Sequence, residues 1–272
     1  MTEKLLELKN VGKTYDKKKY ALKDINLTIN KGEFIVVIGP SGAGKSTFIR
    51  SINRMIDPSE GEIIFDGAHM EKIKGRELKR QRSDIGMIFQ HYNLIGRTNV
   101  IKNVLHGRLG KISFAKSLFS LYSESDKQEA VDLLNKVGLG QQIYQRANDL
   151  SGGQMQRVGI CRAMMQHPKL ILADEPIASL DPNSANIVMD HLQGVTMERG
   201  ITCIVNLHQV DFAKKYATRI IGIQAGKVVF DGKPEELDEQ TTAMIYQGKE
   251  EQMKLRKTAS VMEEGNLAYG EI

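Results

Sequence analysis

Residues 39–47, GPSGAGKST, set a lysine and two hydroxyls behind three glycines. The run satisfies G-x-x-x-x-G-K-[ST], with an apolar run before it and a helix-forming run after it, the context that motif needs. Its chemistry is phosphate binding. Gly39, Gly42 and Gly44 allow the backbone through Pro40, Ser41 and Ala43 to curl, so that successive N–H groups face the phosphates. The following helix N-terminus adds a positive partial charge. Lys45 is expected to reach the β- and γ-phosphates and Ser46 to ligate Mg²⁺, with Thr47 completing the motif. Kinases and GTPases share this loop, so it predicts a bound nucleoside triphosphate without identifying the reaction.

Other residues narrow the reaction. LILADEP puts Asp174 and Glu175 at the end of an apolar run. In an open α/β sheet, ligands collect at the carboxyl ends of strands. Asp174 there suits Mg²⁺, and a neighbouring carboxylate, Glu175, can polarise a water as general base. His208 ends TCIVNLH and is a candidate γ-phosphate contact; a lone histidine is more commonly a satisfied surface or core group. Gln90 closes IGMIFQ, where its amide could ligate Mg²⁺ or hold the attacking water, or simply end a strand. DLSGGQMQR, residues 149–157, places Ser151, Gly152, Gly153 and Gln154 ahead of another helix-forming run, a second candidate anion grip.

These residues must be carried by strands and helices in alternation. EFIVVIG (33–39), LILADE (170–175) and TCIVNLH (202–208) are nearly continuous apolar runs, suited to central strands buried on both faces. Residues 5–11 and 22–29 partly alternate, as strands with one wet face do. EIIFDG (62–67), IIGIQAG (220–226) and KVVFDG (227–232) read as strands entering turns, the last two as a hairpin. Helical patterns run from Lys45 to before Pro58, over about 126–137, from near Gly153 to before Pro168, and after Pro182. The order argues for an α/β fold with parallel strands. Residues 91–160 hold helical patterns without a strong buried strand and are expected to form an inserted helical subdomain. Within them, 107–126 is expected to be a surface helix and loop. The charged stretch from Gly248 to Ile272 is expected to be a loose helix or partly disordered tail.

Composition sets wider limits. Hydrophobic residues form 41% of the 272, enough for a sizeable core, and the net charge of +5 would suit an anionic surface or simply scattered lysines. No window approaches the ~20 apolar residues of a membrane span, and MTEKLLELKN lacks a signal peptide's apolar stretch. Cys161 and Cys203 have no metal-ligand spacing and suggest no disulfide framework.

As an ordered set these motifs resemble the ATPase subunits of ATP-binding-cassette (ABC) transporters. They stand as GPSGAGKST, Gln90 as the Q-loop, LSGGQ at 150–154, LILADE, SLD at 179–181, and His208 as the switch histidine. The likeness covers about residues 3–240. It implies a P-loop NTPase core with an antiparallel β subdomain and an inserted α-helical subdomain, in one domain over 3–247. It also implies an adenine-stacking aromatic at Tyr15, with Tyr20 as the alternative, and a D-loop role for Asp181, although IASLD stands where many members read TSALD. Two cassettes are expected to pair head to tail, with ATP and Mg²⁺ at the interface and Ser151, Gly152 and Gly153 facing the partner's γ-phosphate. Residues His91–Leu94 are expected to meet an integral membrane permease, and a substrate-binding protein joins through the complex. NRMIDPSEG, FQHYNLI, HGRLG and LHQVDFA are similar to the phosphonate-import branch; phosphate and polar amino-acid importers have similar cassettes. The rivals are a soluble ABC ATPase acting on nucleic acid or ribosomes, and a P-loop kinase. The single cassette, the absence of a sustained heptad run and the order of LSGGQ, Glu175 and His208 argue against both, so no nucleic acid is expected. The expected location is the cytoplasmic face of the membrane.

Overall fold

Strand and helix alternate until a purely helical stretch interrupts them. The computed structural model describes residues 3–16, 19–112 and 121–246. β1 (Lys4–Thr14) and β2 (Tyr20–Asn30) lead to β3 (Phe34–Ile38), the phosphate loop and α1 (Lys45–Ile52). β4 (Glu60–Phe65), β5 (Ala68–His69), α2 (Gly75–Ser83) and β6 (Ile85–Phe89) follow. Then α3 (Val100–Leu105), α4 (Glu124–Lys136) and α5 (Gly152–Met164) come without a named strand between them. Alternation resumes with β7 (Leu170–Asp174), α6 (Pro182–Glu198), β8 (Thr202–Asn206) and α7 (Val210–Tyr216). The hairpin of β9 (Arg219–Gln224) and β10 (Lys227–Gly232) precedes helical residues 239–246.

Two sheets result. The smaller, ordered β2-β1-β4-β5, is antiparallel. The larger is ordered β10-β9-β3-β8-β7-β6; its strands from β9 to β6 are parallel and β10 is antiparallel. β3, β7 and β8 are buried along their whole length, which explains why their sequences do not alternate. Successive side chains still go to opposite faces. Phe34, Val36 and Ile38 join a core shared with α5, α6 and the helices of residues 100–136. Ile35 and Val37 join a second core with α1 and the small sheet. Cys161 and Cys203 are unpaired and fully buried in the first core. Burial pushes the Cys161 thiol up to about 12 and raises Cys203 further from its ordinary range, so neither forms thiolate readily.

Several boundaries differ from expectation. α1 stops at Ile52, because Arg54 takes a positive φ of 56° and turns the chain well before Pro58. α4 begins at Glu124, where the Ser123 hydroxyl and the Asp126 carboxylate form a reciprocal capping box. α6 starts at Pro182 as expected, with Asp181 accepting from the Ser184 N–H. α2 and α7 were not expected. α2 has one buried residue, Gln81, so it shows no apolar stripe, and α7 spans only seven residues. In the 107–126 stretch, His106–Gly110 is a 3₁₀ turn, while 113–120 lie outside the described residues, as does the expected tail. Among the described residues no helix is long and apolar enough to cross a membrane.

Candidate active site

Strand register assembles the site. Val37 pairs with Asn206, and Asn206 pairs with Asp174, so the ends of β3, β8 and β7 form one edge. The phosphate loop leaves β3 at that edge, Glu175 follows β7, and His208 lies just beyond β8. Gly44 precedes α1 with φ 108°, and a Cβ there would lie 2.3 Å from the Ala21 carbonyl oxygen. Only glycine tolerates both conditions. Lys45 is buried, 4% exposed, and its Nζ donates to the Gly39 and Pro40 carbonyls at 2.8 and 3.1 Å. A buried ammonium needs such partners, and they wind the loop around the charge a phosphate would meet.

Asp174 is nearly buried and held from two sides. The Asn206 amide donates to Oδ1 at 3.0 Å, and Arg50 brings Nε and Nη2 to Oδ2, both at 2.9 Å. The same Asn206 nitrogen lies 3.4 Å from the Ser46 hydroxyl, while its buried Oδ1 lacks a hydrogen-bond partner. One amide thus gathers a hydroxyl and a carboxylate, both hard oxygen donors of the kind Mg²⁺ takes, and these residues fit that ion.

Glu175 has a positive φ of 53°, which turns it out of strand geometry immediately after Asp174. Its Oε1 lies 2.7 Å from His208 Nε2. His208 Nδ1 is 3.5 Å from Lys45 Nζ. Lysine can only donate, so Nδ1 accepts and Nε2 carries the hydrogen given to Glu175. Lys45, His208 and Glu175, which are far apart in sequence, thereby form one polar chain. They share a cavity of about 320 Å³ with Ser41, Gly42, Gly44, Ser46 and Thr47.

The remaining predicted residues lie elsewhere. Gln90 sits in the turn after β6 and does not line that cavity. Tyr15 does not line it either; its ring is 66% exposed, with Lys13 Nζ 5.2 Å from the ring centre. Tyr20 lines the neighbouring cavity of about 370 Å³ beside Pro40, Ser41 and Ala43. Ser151 is exposed and caps α5, its hydroxyl accepting from Gln154 N–H while the Gln154 side chain accepts from Ser151 N–H. At Gly152 a Cβ would meet the Tyr92 hydroxyl at 2.6 Å, so the second residue after Gln90 packs against the serine-glycine motif. Asp181 is exposed, and its bonds to the Ser184 hydroxyl and N–H hold its carboxyl below the usual range. Sequence reasoning missed Arg50 and Asn206. Asn206 gave a signal, as an amide ending an otherwise apolar run; Arg50 gave none. Outside this edge Glu62, His69 and Glu71 cluster, but Lys72 Nζ already lies 3.4 Å from Glu62 and 3.8 Å from Glu71.

The model of the ABC transporter family matches residues 22–178. The chain belongs to that family. It is 52% identical over 242 residues to the phosphonates import ATP-binding protein PhnC 2 of Oceanobacillus iheyensis, covering 89% of this chain and 95% of the relative. It is 50% identical over 236 residues to the phosphonates import ATP-binding protein PhnC of Treponema denticola, covering 87% and 92%. Among solved structures, it is similar to a dimeric post-hydrolysis state of the ATP-binding cassette MJ0796 bound to ADP and Pi, with TM-score 0.73, 35% identity and coverage of 86% and 100%. It is also similar to cbiO1 from Clostridium perfringens, part of the transporter complex cbiONQ, with TM-score 0.77, 27% identity and coverage of 96% and 99%. The fold is the α/β P-loop core of these cassettes with an antiparallel β sheet beside it.

Proposed function

We propose that this chain is the ATP-hydrolysing subunit of an importer for phosphonates or a related oxyanion. It works as a pair of identical cassettes beneath a membrane permease, on the cytoplasmic face, and an external substrate-binding protein delivers the cargo. The observation that carries the reading is the cavity in which Lys45, Ser46, Glu175 and His208 meet. Family relatives named for phosphonate import support the cargo.

In this reading the phosphate loop from Gly39 to Thr47 cradles the triphosphate, and Lys45 turns from its own loop carbonyls toward the β- and γ-phosphates. Ser46 and Asp174, with Gln90, would hold Mg²⁺, whose contribution is to neutralise charge developing on the phosphate oxygens. Glu175 orients and deprotonates the attacking water, and His208, beside it, contacts the γ-phosphate. Tyr15, or Tyr20 in its place, stacks on adenine. Ser151, Gly152, Gly153 and Gln154 of one cassette complete the site of the other, with Asp181 at the same interface. The single domain spans 3–247, with its helical subdomain at about 91–160.

Glu175→Gln tests the assignment. Hydrolysis should fall by at least about 10²-fold, the lower range for a general base, while ATP binding persists and ATP accumulates a dimer. Normal turnover in that variant sinks the general-base role. For cargo, the reconstituted complex should raise its ATPase rate with a phosphonate-loaded binding protein; stimulation by phosphate or an amino acid alone would reassign it.

A further inference from the structure

The chain returns to the catalytic edge after β10. Asp238 starts the helical residues 239–246 by accepting from the Thr241 N–H at 2.7 Å. The end of this helix is fixed on β9. Ile245 is fully buried, and a Cβ on Gly222 would meet its Cδ1 at 2.7 Å. The Gln224 amide donates to the Met244 carbonyl at 2.9 Å. Tyr246 comes next and packs half-buried against the same core.

The Tyr246 hydroxyl donates to the backbone carbonyl of His208 at 3.1 Å. A tyrosine hydroxyl has one hydrogen to give, and this carbonyl takes it. The phenol therefore holds the main chain of the histidine whose ring meets Lys45 and Glu175. β3 and β8 already fix the strands below, through Leu207 N–H on the Val37 carbonyl at 3.0 Å. The phenol adds a tie above the strands, where the loops carrying the chemistry begin.

We infer that Tyr246 is a positioning residue for hydrolysis: its phenol ties the His208 main chain to the helix anchored on β9 and so sets where the His208 imidazole stands relative to the γ-phosphate. This rests on the reading of His208 as a γ-phosphate contact. Tyr246 touches neither nucleotide nor water in this role. Its effect passes through the histidine.

The test is Tyr246→Phe in the full-length chain, which keeps the ring and removes the hydroxyl. kcat for ATP hydrolysis should fall about three- to tenfold, the scale of one net hydrogen bond, with KM for ATP changed less than about twofold. With ¹⁵N-histidine labelling, the imidazole signals of His208, assigned by their loss in His208→Gln, should shift while the other histidines stay in place. Ile245→Val is the packing control; it should lower the thermal midpoint and leave kcat unchanged. The inference fails if Tyr246→Phe leaves kcat unchanged or alters KM alone. It also fails if kcat drops with the His208 signals unmoved, or if Ile245→Val lowers kcat equally. Undiminished turnover in His208→Ala would instead remove the underlying γ-phosphate reading.

Discussion

Lys45 is both the proposed phosphate-binding charge and the post around which its own loop is wound. Replacing it with Ala should weaken ATP binding about 10–100-fold, the scale of a charge-assisted hydrogen bond, in a calorimetric titration. Unaltered affinity would show that the ammonium never leaves the Gly39 and Pro40 carbonyls. Asp126 illustrates a residue with charge but no chemistry. Burial alone would raise its carboxyl; the Ser123 hydroxyl and N–H and the Arg108 guanidinium outweigh that and hold it below the usual range. A carboxyl lowered on folding stabilises above the ordinary value of about 3.9, and that contribution fades as pH falls through the lower folded value. Urea midpoints should therefore drop more between about pH 5 and pH 3 for the natural chain than for Asp126→Asn; equal drops would contradict the shift. Residue types at fixed spacing made Lys45, Asp174 and Glu175 visible in the sequence. Arg50 was invisible because its partner Asp174 lies 124 residues away, and no local pattern encodes that pairing.

α5 is the element that joins two motifs. It starts behind the exposed Ser151 with Gly152 and the buried Gly153, and its body holds the segment around Gln90. Gln156 Nε2 donates to the Phe89 carbonyl at 3.3 Å, and Arg162 donates to the carbonyls of Tyr92 and Asn93 at 2.8 and 2.5 Å. Tyr92 and Asn93 both take positive φ, so this stretch is shaped by its anchors rather than by propensity. Arg162→Ala should cost about 1–3 kcal/mol in urea unfolding, as carbonyls lose a charged donor. It should also weaken capture by the permease, if His91–Leu94 meet it; full stability in that variant would show the anchors to be idle. Elements with strong local signals were legible: buried strands as apolar runs, α6 by Pro182, the hairpin by its glycines. α2 and α7 were not, since one lacks an apolar face and the other is too short for a period to register.

At the scale of the whole molecule, one cassette keeps its two glycine motifs apart. Ser151 caps α5 in the open, whereas the phosphate loop, Glu175 and His208 share a cavity that Ser151 does not line. Light scattering of Glu175→Gln with ATP should report twice the mass of the ATP-free chain. Adding Ser151→Arg should return it to a monomer by placing a bulky side chain against the partner's nucleotide. A dimer that survives that change would separate LSGGQ from assembly. The proposed pairing rests in the sequence only on the family's motif order, because no composition or period reports what would complete an exposed serine-glycine motif. The two sealed thiols bear on how such pairing can be watched. With Cys161 and Cys203 shut inside the core, a fluorescent dye or spin label attached through Tyr144→Cys, at an exposed position away from the phosphate loop and Ser151, should have no native competitor. The distance between two copies would then follow nucleotide turnover in real time, in a chain that needs no prior removal of its own cysteines.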